Sequence, residues 1–185
     1  MEFEFIKSGH KISDEKTNLF SKVKLENKKE VKKIKEVENK NSFEKLNLKV
    51  GQIVEVKKVE TSEKLFVFKV DLKEETPRQI LSGIQEFYNQ EELINRKVVV
   101  FANLKPAKLA GLESNGMILA VDDKSKCKLL TTNLEIGENL KVENLVANNE
   151  NKVKIKVFQK LNLYSKNGNI FLDNKEIEGI GVEDN

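Results

Sequence analysis

Apolar residues fall into two textures along this chain. Up to Ser42 they are sparse: residues 24–42 (KLENKKEVKKIKEVENKNS) mix both charge signs, and Val31, Ile34 and Val37 are too few to form a broad helical stripe. This stretch reads as a solvated helix or flexible tether. A nucleic-acid-binding basic arm is the alternative, against which the interleaved glutamates argue. From Leu46 onward, short apolar runs alternate with polar punctuation and predict strands. Residues 48–59 (LKVGQIVEVKKV) form the first, with Gly51 as a candidate bulge, and 65–72 (LFVFKVDL) the second, dense in aromatic and β-branched residues. A turn follows at 74–78 (EETPR), then a third strand at 79–84 (QILSGI). Asn89 caps a short helix with Glu91 and Glu92 in its first turn, and 97–104 (KVVVFANL) and 116–121 (GMILAV) complete five main strands.

Five short strands with a small helix between the third and fourth is the layout of an OB-fold, a partly open Greek-key barrel used for nucleic acids, although other small β-barrels share that spacing. The predicted fold class is an all-β core, a five-stranded OB-fold barrel with a short helix. The expected division is an N-terminal extension and charged tether over 1–42, the barrel over 43–133 and a further segment over 134–185.

Composition narrows the chemistry. With 33 Lys+Arg against 30 Asp+Glu the net charge is +3, so nucleic-acid affinity requires a local basic patch rather than a strong mean field. One cysteine, Cys127, and one histidine, His10, can build neither an intramolecular disulfide nor a zinc site, and a cytoplasmic location is expected. No apolar run reaches the ~20 residues of a membrane span, and the first residues lack signal-peptide order. His10 has no partner carboxylate or nucleophile nearby in sequence and reads as a surface residue. Cys127, between Lys126 and Lys128, reads as inert rather than reactive. Asp122 and Asp123 read as a turn rather than a metal site, and Phe66 and Phe68 as core rather than base-stacking residues. No catalytic residue, cofactor or metal is expected.

The most informative stretch is 103–120, NLKPAKLAGLESNGMILA. Lys105 and Lys108 flank Pro106, which limits loop freedom and so favours a placed pair of charges. Gly111 and Gly116 add conformational freedom, Ser114 can bond phosphate or ribose, and Met117 can pack on a sugar or base face. This stretch, with 46–72 and with Ile80-Leu81-Ser82-Gly83-Ile84, resembles the tRNA-binding domain shared by the endothelial-monocyte-activating polypeptide II-like family and the C-terminal appendage of many methionyl-tRNA synthetases. The resemblance implies an OB-fold that grips folded tRNA by its backbone without strong sequence preference and carries no catalysis. It makes Lys64, Ser82, Asn103, Lys105, Lys108, Ser114 and Met117 the contact candidates. Where the family often has Met-Arg or Met-Lys, this chain has Leu109-Ala110, so one cation of the loop is missing.

Two weaker resemblances add context. Gly9-His10-Lys11-Ile12 and residues 18–23 (NLFSKV) are similar to the end of the synthetase anticodon-binding domain, implying a C-terminal portion separated from its catalytic body. Residues from Leu134 onward are similar to the extra subdomain of the polypeptide II-like proteins, with 154–158 as a helix and 169–175 as a hairpin, implying a small C-terminal α+β capping subdomain over 134–185 packed on the barrel, and a monomer. The implied partners are tRNA and a parent catalytic domain or other synthetases. A cytokine-like signalling polypeptide, with residues 49–55 (KVGQIVE) as the active segment, or a synthetase-complex assembly module are the alternatives.

Overall fold

The computed structural model describes residues 13–14, 42–123 and 126–182; the tether, His10 and most of the N-terminal resemblance lie outside these residues. Among the described residues the first strands are β1 (Ser13–Asp14), β2 (Leu48–Val59), β3 (Ser62–Asp71), β4 (Arg78–Ser82) and β5 (Lys97–Phe101). Strands β2 to β5 join β8 (Met117–Ile118) in one antiparallel sheet of order β4-β3-β2-β5-β8. The sheet curls until β4 meets the chain entering β8, where Asn115 N–H donates to the Gln79 carbonyl and Leu81 N–H to Ser114 Oγ, each at 2.9 Å. The result is the nearly closed five-stranded barrel expected from sequence. Helix α1 (Gln90–Leu93) lies between β4 and β5, and the Glu92 carboxylate accepts from Asn89 N–H at 2.9 Å.

The barrel interior is filled by Ile53, Phe66, Phe68, Val70, Ile80, Val98, Val100 and Ile118, with Cys127 also buried there. Phe66 and Phe68 meet edge to face at 5.8 Å, so both belong to the core. Gly51 is not the bulge: it pairs in register with Val98, and the irregularities fall between Ile53 and Glu55 and between Lys58 and Val59. Its role is close approach, because a Cβ there would stand 2.6 Å from Val70 Cγ1 and 2.7 Å from Leu72 Cδ2.

Strands β2, β5 and β8 are buried on their outer face as well, through Leu48, Val50, Val99, Phe101 and Met117. This explains why 98–101 reads as a continuous apolar run (VVVF) rather than an alternating one. At Leu119, whose N–H donates to the Val99 carbonyl at 2.9 Å, the chain leaves the barrel sheet. It continues as β9 (Ala120–Asp123), antiparallel to β10 (Lys126–Thr132). The single strand expected over 116–121 is therefore two strands in two sheets, and Asp122 and Asp123 are paired strand residues rather than a turn.

The cover of the outer face comes from the C-terminal residues. A hairpin of β11 (Lys141–Val142) and β12 (Leu145–Val146) is followed by the short helix α2 (Ile155–Phe158) and by β13 (Leu163–Lys166), β14 (Asn169–Leu172) and β15 (Lys175–Val182). The second sheet runs β1-β13-β14-β15-β10-β9. Backbone hydrogen bonds fasten this layer to the start of β2: Leu48 N–H to the Ala147 carbonyl at 2.9 Å, Val50 N–H to Glu138 at 2.8 Å, and Leu140 N–H back to Leu48 at 2.9 Å. Phe158 packs on Phe101 with ring centroids 5.6 Å apart, and Leu140, Val142, Leu161, Ile170 and Leu172 complete the contact. The C-terminal subdomain is thus packed on the barrel, with a short helix and a hairpin in the expected stretches.

Candidate nucleic-acid interface

Residues 103–116 are more ordered than a loop. Strands β6 (Ala107–Leu109) and β7 (Leu112–Ser114) form a two-stranded hairpin. Its turn residues Ala110 (φ 48°) and Gly111 (φ 80°) both take left-handed backbone, which suits the twist of a two-residue hairpin connection. Lys105 and Lys108 are exposed on this arm, Lys108 opposite Glu113 in register.

The hairpin root is held by buried polar groups. Asn103, 1% exposed, accepts from Asn47 N–H at 2.7 Å through Oδ1 and donates through Nδ2 to the carbonyls of Lys45 (2.9 Å) and Asn151 (2.7 Å). Ser114 Oγ accepts from Leu81 N–H and donates to the Gly116 carbonyl at 3.1 Å. Arg78 grips both ends of the arm, donating to the carbonyls of Ala102 and, at 3.3 Å, Asn115. The Glu74 carboxylate fixes the guanidinium in a two-bond fork, both contacts 2.6 Å. Alongside runs the segment 151–154: Val153 N–H donates to the Asn103 carbonyl and Lys105 N–H to the Val153 carbonyl, each at 2.9 Å.

The sequence-derived candidates therefore separate into two groups. Lys64, Lys105 and Lys108 are exposed cations; Lys64 lies on β3 with its ammonium 3.9 Å from Glu86. Ser82, Asn103, Ser114 and Met117 are buried, between 1% and 7% exposed. Asn103 and Ser114 use their polar atoms to hold the arm, and Met117 packs in the outer-face core. The polar residues that sequence reasoning aimed at a ligand thus build the mount on which the lysines stand. Sequence reasoning missed Arg78 and the 151–154 segment. One of only two arginines in a lysine-rich chain, placed at a strand start after Pro77, was the available signal for Arg78, since its rigid planar fork of five donors suits several fixed acceptors at once.

Asn103→Ala is expected to lower stability by about 2–4 kcal/mol, because it strands the Asn47 N–H and two carbonyls in a buried place. Urea denaturation checks this, and a loss below about 1 kcal/mol refutes the role assigned to the side chain.

A nearly closed antiparallel barrel with one helix between its third and fourth strands, presenting a basic hairpin on a buried polar root, places the chain among OB-type β-barrel proteins. The family model "Putative tRNA binding domain" matches residues 48–157, from the start of β2 through most of α2, and the chain belongs to that family. A methionine–tRNA ligase of Methanosphaera stadtmanae is 43% identical over 154 residues, covering 75% of this chain and 22% of that protein. One from Pyrococcus horikoshii is 42% identical over 124 residues, covering 67% of the chain and 17% of the ligase. The chain thus spans about a fifth of the length of these relatives. The C-terminal domain of Plasmodium vivax p43 superposes with a TM-score of 0.65 at 28% identity, covering 76% of this chain and 98% of that domain. Its near-complete coverage shows that the barrel and the C-terminal layer occur together in a solved structure. No helix among the described residues is long and apolar enough to cross a membrane.

Proposed function

We propose that this chain is a non-catalytic tRNA-binding module, the C-terminal appendage of a methionyl-tRNA synthetase whose catalytic domain lies outside it. The observation that carries the reading is the β6–β7 arm: Lys105 and Lys108 are exposed on a hairpin whose base is clamped by Asn103, Ser114 and Arg78. Cations on a rigid arm lose little entropy when they meet phosphate. Lys64 is a further contact on the barrel wall. Ser82, Asn103, Ser114 and Met117 act by holding the surface in shape.

Phosphate contacts fix position without reading sequence, and the A-form major groove is too deep and narrow for side chains to read, so the module recognises folded tRNA by shape. Attached to a synthetase, it raises the local concentration of tRNA at the active site and lowers the apparent KM without changing the chemistry. Its working place is the cytoplasm, its state a monomer, and its protein partners a parent catalytic domain or other synthetases. The signalling alternative receives no support from residues 49–55, whose Val50 and Ile53 are fully buried in a barrel strand.

The test is filter binding of unrelated elongator tRNAs across a salt series. Affinities within a few-fold of one another and a linear fall of log K with log salt are expected. A strong preference for one tRNA, or affinity indifferent to salt, overturns the reading.

A further inference from the structure

The 151–154 segment belongs to the C-terminal layer yet runs beside the root of the basic arm. Leu104 and Val153 form a parallel bridge, and Asn103 and Lys105 both bond this segment. One consequence concerns Lys152. Its Nζ donates to the Ala102 carbonyl at 3.2 Å, and the same oxygen accepts from Arg78 Nη1. Two cations therefore converge on one neutral acceptor, next to the residue where the arm departs. Two carboxylates lie near and act on Lys152 in the favourable sense: Glu74, bound in the fork to Arg78, and Glu150, which accepts from Asn47 Nδ2 at 2.9 Å. Partial burial, and after it the Arg78 charge, outweigh these carboxylates and hold the Lys152 ammonium below the ordinary lysine pKa. An anion set beside it offsets both effects.

We propose that Lys152 is a phosphate-binding residue supplied by the C-terminal layer, held beside Lys105 by the shared Ala102 carbonyl and by Arg78, so that the nucleic-acid face is composite rather than confined to the barrel. This rests on the tRNA-binding reading above and adds a residue to it. Arg78, forked to Glu74, is a positioning residue here: it fixes the carbonyl on which Lys152 is seated. The family match ends at residue 157 rather than at the last barrel strand, and so takes in this segment.

The test compares full-length Lys152→Ala, Lys152→Gln and Lys152→Arg chains with Lys166→Ala, an exposed lysine of β13, in binding to unfractionated tRNA over a salt series. Glutamine keeps a donor for the Ala102 carbonyl without the charge, and arginine keeps the charge. Losses of about 3–10-fold for alanine and glutamine, with the slope of log K against log salt reduced by about one, near-normal binding for arginine and for Lys166→Ala, and unchanged thermal melting are expected. Rescue by glutamine shows that Lys152 only braces the loop and overturns the proposal. So does a Lys152→Ala chain that binds like Lys166→Ala while Lys105→Ala is impaired, and in that case the tRNA-binding reading survives. A wild-type chain that binds no tRNA overturns both.

Discussion

Replacing Lys105 and Lys108 together by alanine is expected to weaken tRNA binding by about 10–100-fold at ~0.1 M salt, while the same change at Lys160 and Lys166 costs less than about 3-fold. Each exposed lysine-to-phosphate contact is worth about 1 kcal/mol at that ionic strength, and two on one mount approach additivity because the mount does not move when either is lost. All four side chains are exposed, so their removal leaves no buried group unsatisfied and the melting temperature should hold. The salt slope should fall by nearly two at the first pair and stay unchanged at the second. Equal losses at both pairs, with unchanged circular dichroism, remove the arm from the site.

The second large effect concerns assembly. A chain ending at Asn133 is expected to dimerise or precipitate at micromolar concentration, where the full chain sediments as a monomer. The truncation uncovers Leu48, Val50, Val99, Phe101, Met117 and Leu119, all buried in the intact protein. At about 1.5–3 kcal/mol for each such side chain, the exposed face represents roughly 10 kcal/mol, comparable to the whole stability of a small domain. A surface of that kind seeks a partner or another copy of itself. A dimeric full-length chain, or a truncated chain that stays monomeric and melts as before, refutes the covering role.

The strands with dense β-branched and aromatic content were legible in the sequence because burial on a pleated surface selects those residues locally: residues 48–59 match β2 end to end, and the short helix begins beside Asn89. The strand over 116–121 was misread as one piece because the change of sheet at Leu119 depends on Val99, a partner distant in sequence. The β6–β7 hairpin left no apolar alternation, since both its strands are largely exposed, and Ala110 in a left-handed turn position is not a residue that announces a turn. The site was legible as a stretch and ambiguous as a set of roles. An asparagine that would bond a phosphate and one that clamps a loop offer the same donors and acceptors, and only burial separates them; Asn103 falls on the clamping side. Arg78 and Lys152 act through the Ala102 carbonyl, 24 and 50 residues away along the chain, a relation no local pattern encodes.

The doubly covered wall of β2, β5 and β8 bears on how this protein can be taken apart or grafted. Its inward residues answer to the barrel and its outward residues to the C-terminal layer, so each of Val98, Val99, Val100 and Phe101 is constrained from one side or the other. A tag made by fusing the barrel alone to another protein would need its outward positions recoded to polar residues first. A portable piece has to carry the C-terminal layer together with the barrel, and a ligand that loosened that layer would be felt at once in the arm that Asn151 helps to hold.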